Sequence, residues 1–186
     1  MDKGTENYYR FREQGDIDGL VEIVKEYKDG LTLYINSIVN DIYSAEDLAE
    51  DTFFMLFTKR PPDKRISSFK TWLYTIGRNI ALDHLRRRLK SKEVPIDMCY
   101  EVQNDQEDIE NSYIKNETKI YVHHVINRMK PEYRQVLWLT YIEGLSNKET
   151  AMIMKKSVHA VETLVYRARK ALKEQLEADG VFDIDL

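Results

Sequence analysis

The chain has 186 residues, with 28 Lys and Arg against 32 Asp and Glu, a net charge of −4 and one cysteine, Cys99. A single cysteine excludes an intramolecular disulfide and a multi-cysteine zinc site, and it is typical of a reducing compartment. No apolar run is long enough to span a bilayer, and the polar N-terminus lacks the apolar region of a signal peptide, so the sequence predicts a cytoplasmic protein.

The charge is arranged in blocks along the chain. Residues 59–92 hold eleven Lys and Arg against two acids, and residues 146–173 hold seven against two. The first 58 residues carry thirteen acids against five basic residues, and residues 93–117 carry eight acids against one lysine. Because salt screens charges over about 8 Å at physiological ionic strength, the two basic blocks can contact nucleic acid although the whole chain is acidic.

Apolar residues recur at helical spacing and strand-like alternation is nearly absent, which predicts an all-α fold. The first helix is expected over Thr5–Gln14, ended by Gly15. Three longer helices follow. The first is capped by Asp18 and runs to Val39, although Gly30 could interrupt it, and the second covers 45–57 and is capped by Ser44. A proline-containing loop over 58–68 leads to the third, a basic helix over 69–90 that is capped by Ser67 or Ser68.

The second half begins with an acidic, aperiodic segment, 93–116, which is typical of a flexible linker. Two helices are expected after it, over 117–130 and over 131–142, with Pro131 in a first turn and Gly144 ending the second helix. The prediction is therefore two small helical domains, 1–92 and 117–177, joined by the acidic linker 93–116 and followed by an acidic tail, 178–186.

Residues 144–173 have the pattern of a helix-turn-helix. Ser146 can cap the first helix with Glu149 at capping-box spacing, and Ser157 can cap the second. The second helix has a polar and basic face suited to the major groove of DNA. Its buried stripe is predicted as Val158, Val161, Leu164, Val165, Ala168 and Leu172. An ordinary helical hairpin with a solvated basic face is the alternative interpretation.

The basic helix over 69–90 mixes aromatic residues, asparagine and arginine, a combination suited to unstacked bases and phosphates. The alternative is that Trp72 and Tyr74 belong to the core. His123 and His124 are adjacent, so on a helix their side chains point about 100° apart, and the other histidines are isolated. No metal site, cofactor, small-molecule substrate or enzymatic activity is predicted.

Two blocks of this sequence resemble a known family. Residues 45–53 (AEDLAEDTF) and 69–87 (FKTWLYTIGRNIALDHLRR) are similar to the core-binding and promoter-melting region of extracytoplasmic-function sigma factors, in the sigma-70 family. Residues 130–137 (KPEYRQVL) and 141–146 (YIEGLS), with the helix-turn-helix, resemble the domain of these proteins that binds the −35 promoter element. Both blocks occur in the family's order.

The resemblance implies roles for particular residues. The residues that would dock on the clamp helices of core RNA polymerase are Asp47, Leu48, Glu50, Asp51, Phe53 and Phe54. Those that would recognise and melt the −10 element, by capturing an unstacked base, are Lys64, Arg65, Lys70, Trp72, Tyr74, Arg78, Asn79, Arg86 and Arg87. Those that would read the −35 element are Lys155, Lys156, Ser157, His159, Glu162, Thr163, Tyr166, Arg167 and Lys170.

The implied partners are core RNA polymerase, promoter DNA and an anti-sigma factor, which in the family is often membrane-bound. Two alternatives are a helix-turn-helix regulator that acts without core polymerase and an adaptor that has lost promoter reading. The block at 45–90 distinguishes a sigma factor from a plain regulator, which has no need of a second DNA-facing region. The sequence departs from the family pattern at Lys155, where a glycine is usual at the turn.

Overall fold

The computed structural model describes residues 2–62, 68–91 and 117–179, and within these ranges the chain forms helices and no strands. The all-α prediction is confirmed. The chain divides into two compact units, with the division between residues 100 and 101. All of the predicted linker, 93–116, lies outside the described residues, as do 180–186 of the tail. None of the described helices has the length and apolar content needed to cross a bilayer.

The first unit consists of four helices: α1 (Lys3–Gln14), α2 (Ile17–Val39), α3 (Ile42–Lys59) and α4 (Phe69–Ser91). Helix α2 packs against the other three, so its C-terminal half is buried almost all round. Apolar side chains from all four helices form one core, and its fully buried members include Phe11, Ile23, Leu31, Ile35, Ile42, Leu56, Phe69 and Leu73.

Close helix contacts explain two glycines in this unit. A Cβ on Gly19 would lie 2.4 Å from the carbonyl oxygen of Asn7, and one on Gly77 would lie 2.8 Å from Cδ1 of Leu31. Side chains at these positions would therefore push α1 and α4 away from α2. Gly30, by contrast, does not interrupt α2, which is continuous to Val39.

Two of the predicted N-caps are wrong by one turn or less. Asp16, not Asp18, caps α2, and its carboxylate accepts a hydrogen bond from the backbone N–H of Asp18 at 3.0 Å. Helix α3 begins at Ile42 because that side chain is fully buried, so Ser44 lies inside the helix and its hydroxyl donates to Asp41 at 2.6 Å. Ser68 accepts from the N–H of Thr71, as a cap of α4 should.

The second unit contains α5 (Glu117–Asn127), α6 (Pro131–Leu137), a π-helical turn (Trp138–Ile142), α7 (Asn147–Met154) and α8 (Val158–Ala178). Helix α5 ends three residues earlier than predicted, and the guanidinium of Arg134 donates to the freed carbonyl of Asn127 at 3.0 Å. The buried residues that join these helices include Val125, Ile126, Val136, Leu139, Ile153, Val161 and Leu172.

The predicted helix over 131–142 is present, but its last turn widens into a π-helix. The N–H of Glu143 bonds to the carbonyl of Trp138, five residues back, at 3.0 Å. Gly144 then adopts φ +66°, and the N–H of Leu145 reaches the carbonyl of Leu139 at 2.9 Å. This closure around a left-handed glycine is one residue wider than a Schellman motif, because it follows a π-helical turn, and it turns the chain into α7.

Candidate protein and nucleic-acid interfaces

One face of α3 is exposed and combines acidic with aromatic side chains. Glu50 contacts Lys28 through a 3.2 Å ion pair, and Phe54 is 64% exposed although it is a large apolar residue. The exposed residues recur at helical spacing, so they share one side of the helix. They are Tyr43, Asp47, Glu50, Asp51, Phe54 and Phe57.

The structure corrects two of the predicted polymerase-docking residues. Leu48 and Phe53 are both 6% exposed and point into the core of the first unit, so they are unavailable to a partner in this structure. Tyr43 and Phe57, which are not in the predicted set, are exposed on the same face. Tyr43 lies four residues before Asp47, and Phe57 lies three residues after Phe54. This helical spacing is the sequence signal that places them on the same face.

The structure also corrects one residue of the predicted −10 set. Tyr74 is fully buried, and its ring lies 5.4 Å from the ring of Tyr34. It therefore belongs to the core and cannot stack on a base. Trp72 is half-buried and has a tilted contact with Tyr8, at 5.1 Å between ring centroids. The core alternative is thus right for Tyr74 and holds in part for Trp72.

The remaining described members of the −10 set lie along α4. Lys70, Arg78 and Asn79 are half-buried, whereas Arg86 and Arg87 are exposed near the end of the helix. The ammonium of Lys70 lies 5.8 Å from the centroid of the Tyr74 ring. Burial raises the pKa of Tyr34, and the positive charge of Arg78 opposes that shift. Lys64 and Arg65 lie outside the described residues.

The helix-turn-helix forms as the sequence predicts. The hydroxyl of Ser146 accepts from the N–H of Glu149 at 3.3 Å, and the Glu149 carboxylate accepts from the N–H of Ser146 at 3.0 Å, which completes a capping box. The hydroxyl of Ser157 accepts from the N–H of Ala160 at 3.1 Å. Ser146 therefore caps the start of α7, and Ser157 caps the start of α8, directly after the short turn between the two helices.

The turn itself is made by a residue that is not glycine. Lys155 has φ +54°, and the N–H of Lys156 bonds to the carbonyl of Ala151 at 3.0 Å, closing a Schellman motif. The ammonium of Lys156 also forms a 3.0 Å ion pair with Glu132 at the start of α6. The turn is therefore held by backbone bonds and by one ion pair, although its central residue is in the left-handed region.

Lys155→Gly is expected to stabilise the second unit by about 1 kcal/mol, because a residue with a Cβ costs about 1–2 kcal/mol in the left-handed region and part of the gain is lost to the flexibility of glycine when unfolded. Thermal unfolding of the full chain measures the change. Lys148→Gly, at the exposed second position of α7, is the matched control and should not stabilise the protein, because glycine is less favourable than lysine in a helix. A lower stability for Lys155→Gly would contradict the strain argument.

Helix α8 presents the predicted −35 face to solvent. Ser157, His159, Glu162, Tyr166, Arg167 and Lys170 are exposed, together with Lys155 and Lys156 in the turn. Tyr166 is 71% exposed, so most of its aromatic ring faces solvent. Thr163 is half-buried, and its hydroxyl donates to the carbonyl of His159 at 3.0 Å. The residues thus share a face at helical spacing.

The buried stripe of α8 differs from the prediction at its start. Val161, Ala168 and Leu172 are buried and Leu164 and Val165 are half-buried, but Val158 is 41% exposed. Val158 occupies the first position of the helix, before the helix comes into contact with its neighbours. At the other end the burial continues to Leu176, beyond the predicted stripe.

Of the two adjacent histidines in α5, His123 lies in the core of the second unit and His124 is half-buried. His123 is buried, and its ring lies edge-on to Trp138 at 5.5 Å between centroids. Burial, with a smaller contribution from the neighbouring His124, lowers the pKa of His123 to about 4. Among residues 2–62, 68–91 and 117–179, no group of three or more His, Cys, Asp or Glu side chains is placed to hold a metal ion.

The second unit is expected to lose stability as the pH falls from about 6.5 to 4. His123 is neutral in the folded state, whereas in the unfolded state it binds a proton below its ordinary pKa, so each pH unit in this window costs about 1.4 kcal/mol. Denaturation followed by Trp138 fluorescence in a Trp72→Phe background measures this loss. His123→Gln should flatten the profile, and His159→Gln, on an exposed histidine, should not. An unchanged profile in His123→Gln would contradict the assignment.

Comparisons with known proteins match both units. A model described as sigma-70 region 2 matches residues 23–90, and one described as sigma-70 region 4 matches residues 119–172. The sigma factor SigW of Bacillus subtilis is 27% identical over 172 residues, which cover 88% of this chain and 92% of SigW. BldN of Streptomyces coelicolor is 28% identical over 90% of this chain, but the match spans only 64% of BldN. Both are named ECF RNA polymerase sigma factors.

Solved structures have the same fold. The sigma factor RpoE of Bartonella quintana, in complex with the anti-sigma factor NepR, is 22% identical with a TM-score of 0.64, over 85% of this chain and 96% of RpoE. CnrH, in complex with the cytosolic domain of CnrY, is 21% identical with a TM-score of 0.62, over 95% and 96% of the two chains. With two region matches in the family's order and ECF relatives along most of its length, the chain belongs to the extracytoplasmic-function group of the sigma-70 family and is an RNA polymerase sigma factor.

Proposed function

We propose that this sigma factor directs core RNA polymerase to promoters by docking through α3, opening the −10 element with α4 and the loop before it, and reading the −35 element with α8. The observation that carries the proposal is that each matched region contains an exposed helix face rich in contact-forming side chains. Domains at 1–92 and 117–177 would then act on separate promoter elements, with the linker 93–116 between them.

Polymerase docking is assigned to the exposed face of α3. Phe54 supplies an exposed ring, and Asp47, Glu50 and Asp51 surround it with negative charge. Aromatic side chains at the centre of an interface contribute much of the binding energy, and charges at its rim steer the approach of the partner. Tyr43 and Phe57 enlarge this aromatic surface, so they join the proposed interface in place of Leu48 and Phe53.

Recognition of the −10 element is assigned to α4 and the loop over 58–68. Lys70 and Arg78 are half-buried at the side of α4, while Arg86 and Arg87 extend the positive charge along it. These cations, which spread along and around α4, would hold the phosphates of a separated strand. Asn79 would recognise a base edge through its amide, and capture of an unstacked base by the loop would keep the strands apart.

Recognition of the −35 element is assigned to α8 and the turn before it. Side chains near the N-terminus of a recognition helix reach base edges, and those farther along contact phosphates. His159, Glu162 and Thr163 are in the first two turns, whereas Tyr166 and Arg167 follow in the third. Lys155, Lys156 and Lys170 would contact phosphates, which fixes the register of the helix in the groove.

The proposal extends to regulation and location. Structures of sigma factors bound to anti-sigma factors share this fold, which supports an anti-sigma partner for this chain too. We place the protein in the cytoplasm, where core polymerase and promoter DNA are found. The protein would have no enzymatic activity of its own, because sigma factors are initiation factors and RNA synthesis belongs to the polymerase.

Run-off transcription tests the proposal. Core polymerase from the source organism is combined with the full chain and with DNA fragments upstream of the chain's own gene and its neighbours. A discrete transcript that requires the chain is expected. Specific binding to duplex DNA without a transcript, and without co-elution with core polymerase, would instead support a helix-turn-helix regulator that acts without the polymerase.

A further inference from the structure

Helix α1 precedes the matched region 23–90, yet it contacts both ends of the loop assigned to −10 capture. The helix has 12 residues and is about 18 Å long at 1.5 Å per residue. Its contacts involve Phe57, Arg60 and Pro61, where α3 ends and the loop begins, and Phe69 and Trp72 in the first turn of α4. No residue outside 23–90 was assigned to promoter opening from the sequence.

The end of α3 is held to α1 by two hydrogen bonds to backbone carbonyls. The hydroxyl of Tyr8 donates to the carbonyl of Pro61 at 2.6 Å, and Nε of Arg12 donates to the carbonyl of Arg60 at 3.2 Å. The guanidinium of Arg60 lies 4.7 Å from the centroid of the Phe11 ring, and that ring stacks on Phe57 at 6.2 Å. Side chains of α1 therefore fix both the backbone and one side chain at this end.

The backbone at Arg60 is strained. Its φ is +41°, in the region where residues other than glycine are uncommon. Such a conformation is energetically unfavourable and persists where the surrounding structure over-determines it. The N–H of Arg60 bonds to the carbonyl of Leu56 at 3.1 Å, and the contacts with Phe11 and Arg12 add to this bond from α1. The direction in which the chain leaves α3 depends on these contacts together.

The start of α4 is held by the same helix. The ring of Tyr8 lies 5.6 Å from that of Phe69 and 5.1 Å from that of Trp72. The carboxylate of Asp2, which caps α1, also accepts from the N–H of Phe69 at 3.5 Å. A Cβ on Gly4 would lie 2.6 Å from Cδ1 of Phe69, so α1 approaches this ring as closely as a helix can.

We propose that α1 fixes the two ends of the −10 loop and that Tyr8 and Arg12 are positioning residues for promoter opening. The inference rests on the proposed function of the loop. Holding both ends of a loop lowers the conformational freedom that must be lost when it captures a base. Tyr8 is central because its ring contacts Phe69 and Trp72 after the loop and its hydroxyl bonds to the carbonyl of Pro61 at the start of the loop.

The test uses holoenzyme assembled from core polymerase and the full chain carrying Tyr8→Phe, Arg12→Met or both. The probe is a single-stranded oligonucleotide with the non-template −10 region of a promoter mapped by run-off transcription. Because an intramolecular hydrogen bond is worth about 2- to 12-fold in an equilibrium, each variant should bind the probe about threefold to tenfold more weakly. Tyr9→Phe, on an exposed neighbour in α1, is the matched control and should bind as the wild type does.

Three further readouts separate positioning from a general structural effect. Affinity for core polymerase and affinity for −35 duplex DNA should stay at wild-type values in Tyr8→Phe, whereas thermal stability should fall by no more than the loss of one hydrogen bond accounts for. Wild-type binding of the −10 probe by Tyr8→Phe and by the double variant would overturn the inference, and so would a parallel loss of affinity for core polymerase and for −35 duplex DNA. Failure of the wild-type holoenzyme to transcribe or to bind the probe would instead refute the proposed function.

Discussion

Replacing Phe53 with alanine is expected to destabilise the first unit by about 3–5 kcal/mol, whereas replacing the adjacent Phe54 should leave its stability almost unchanged and weaken binding to core polymerase. Phe53 is 6% exposed and packs in the core, so its removal leaves a cavity. Phe54 is 64% exposed, and its removal takes away little buried surface. The two positions differ in surroundings and not in chemistry, which makes each the control for the other.

Urea denaturation of the full chain measures the first effect, and competition with a labelled wild-type chain for core polymerase measures the second. If Phe54 is a central aromatic of the interface, its loss should weaken docking about 30-fold, the equivalent of about 2 kcal/mol. Wild-type docking by Phe54→Ala would show that the exposed face of α3 is not the polymerase interface. Unchanged stability in Phe53→Ala would contradict the burial of that ring.

Local signals in the sequence were sufficient to predict most helices. The capping box at Ser146, the cap at Ser157 and the left-handed Gly144 all occur where the pattern of residues predicts them. Errors arose where two candidate caps lie close together, as with Asp16 and Asp18. Propensity alone cannot choose between them, because Asp16 also accepts a 2.9 Å hydrogen bond from Arg10 of α1, a contact that the local pattern does not show.

The buried side of an aromatic helix was harder to predict. Lys70, Tyr74 and Arg78 are four residues apart and lie on one side of α4, so periodicity groups them together. The ring of Tyr74 is nevertheless buried against Tyr34 on α2. The same difficulty affected Phe53 and Phe54, because the sequence shows two aromatic residues but not which of them faces the core.

The contacts of α1 could not be predicted from the sequence at all. Tyr8 and Pro61 are 53 residues apart, and Arg12 and Arg60 are 48 apart. Hydrogen bonds from a side chain to a distant backbone carbonyl leave no periodic pattern, since any carbonyl can accept. Such contacts become visible only when the tertiary structure brings the two segments together.

Arg167→Ala is expected to lower the affinity for −35 duplex DNA about 5- to 150-fold and to relax specificity at one base pair. Arg167 is exposed on the recognition face of α8, and loss of a bidentate contact between arginine and a base costs about 1–3 kcal/mol. The measurement is binding of the full chain with core polymerase to a set of duplexes that differ by single −35 substitutions, at several salt concentrations.

Lys170→Ala, three residues after Arg167 on the same face of α8, is the matched comparison. Its ammonium is exposed and forms only a long ion pair with Glu174, at 3.9 Å. If Lys170 contacts a phosphate, its loss should weaken binding to all duplexes equally and lower the salt dependence by about one charge. Arg167→Ala should instead preserve the salt dependence more closely and change the order of preference among the duplexes. An equal loss for every duplex in Arg167→Ala would reassign that residue to the phosphate backbone, and base reading would then fall to Glu162, Thr163 and Tyr166.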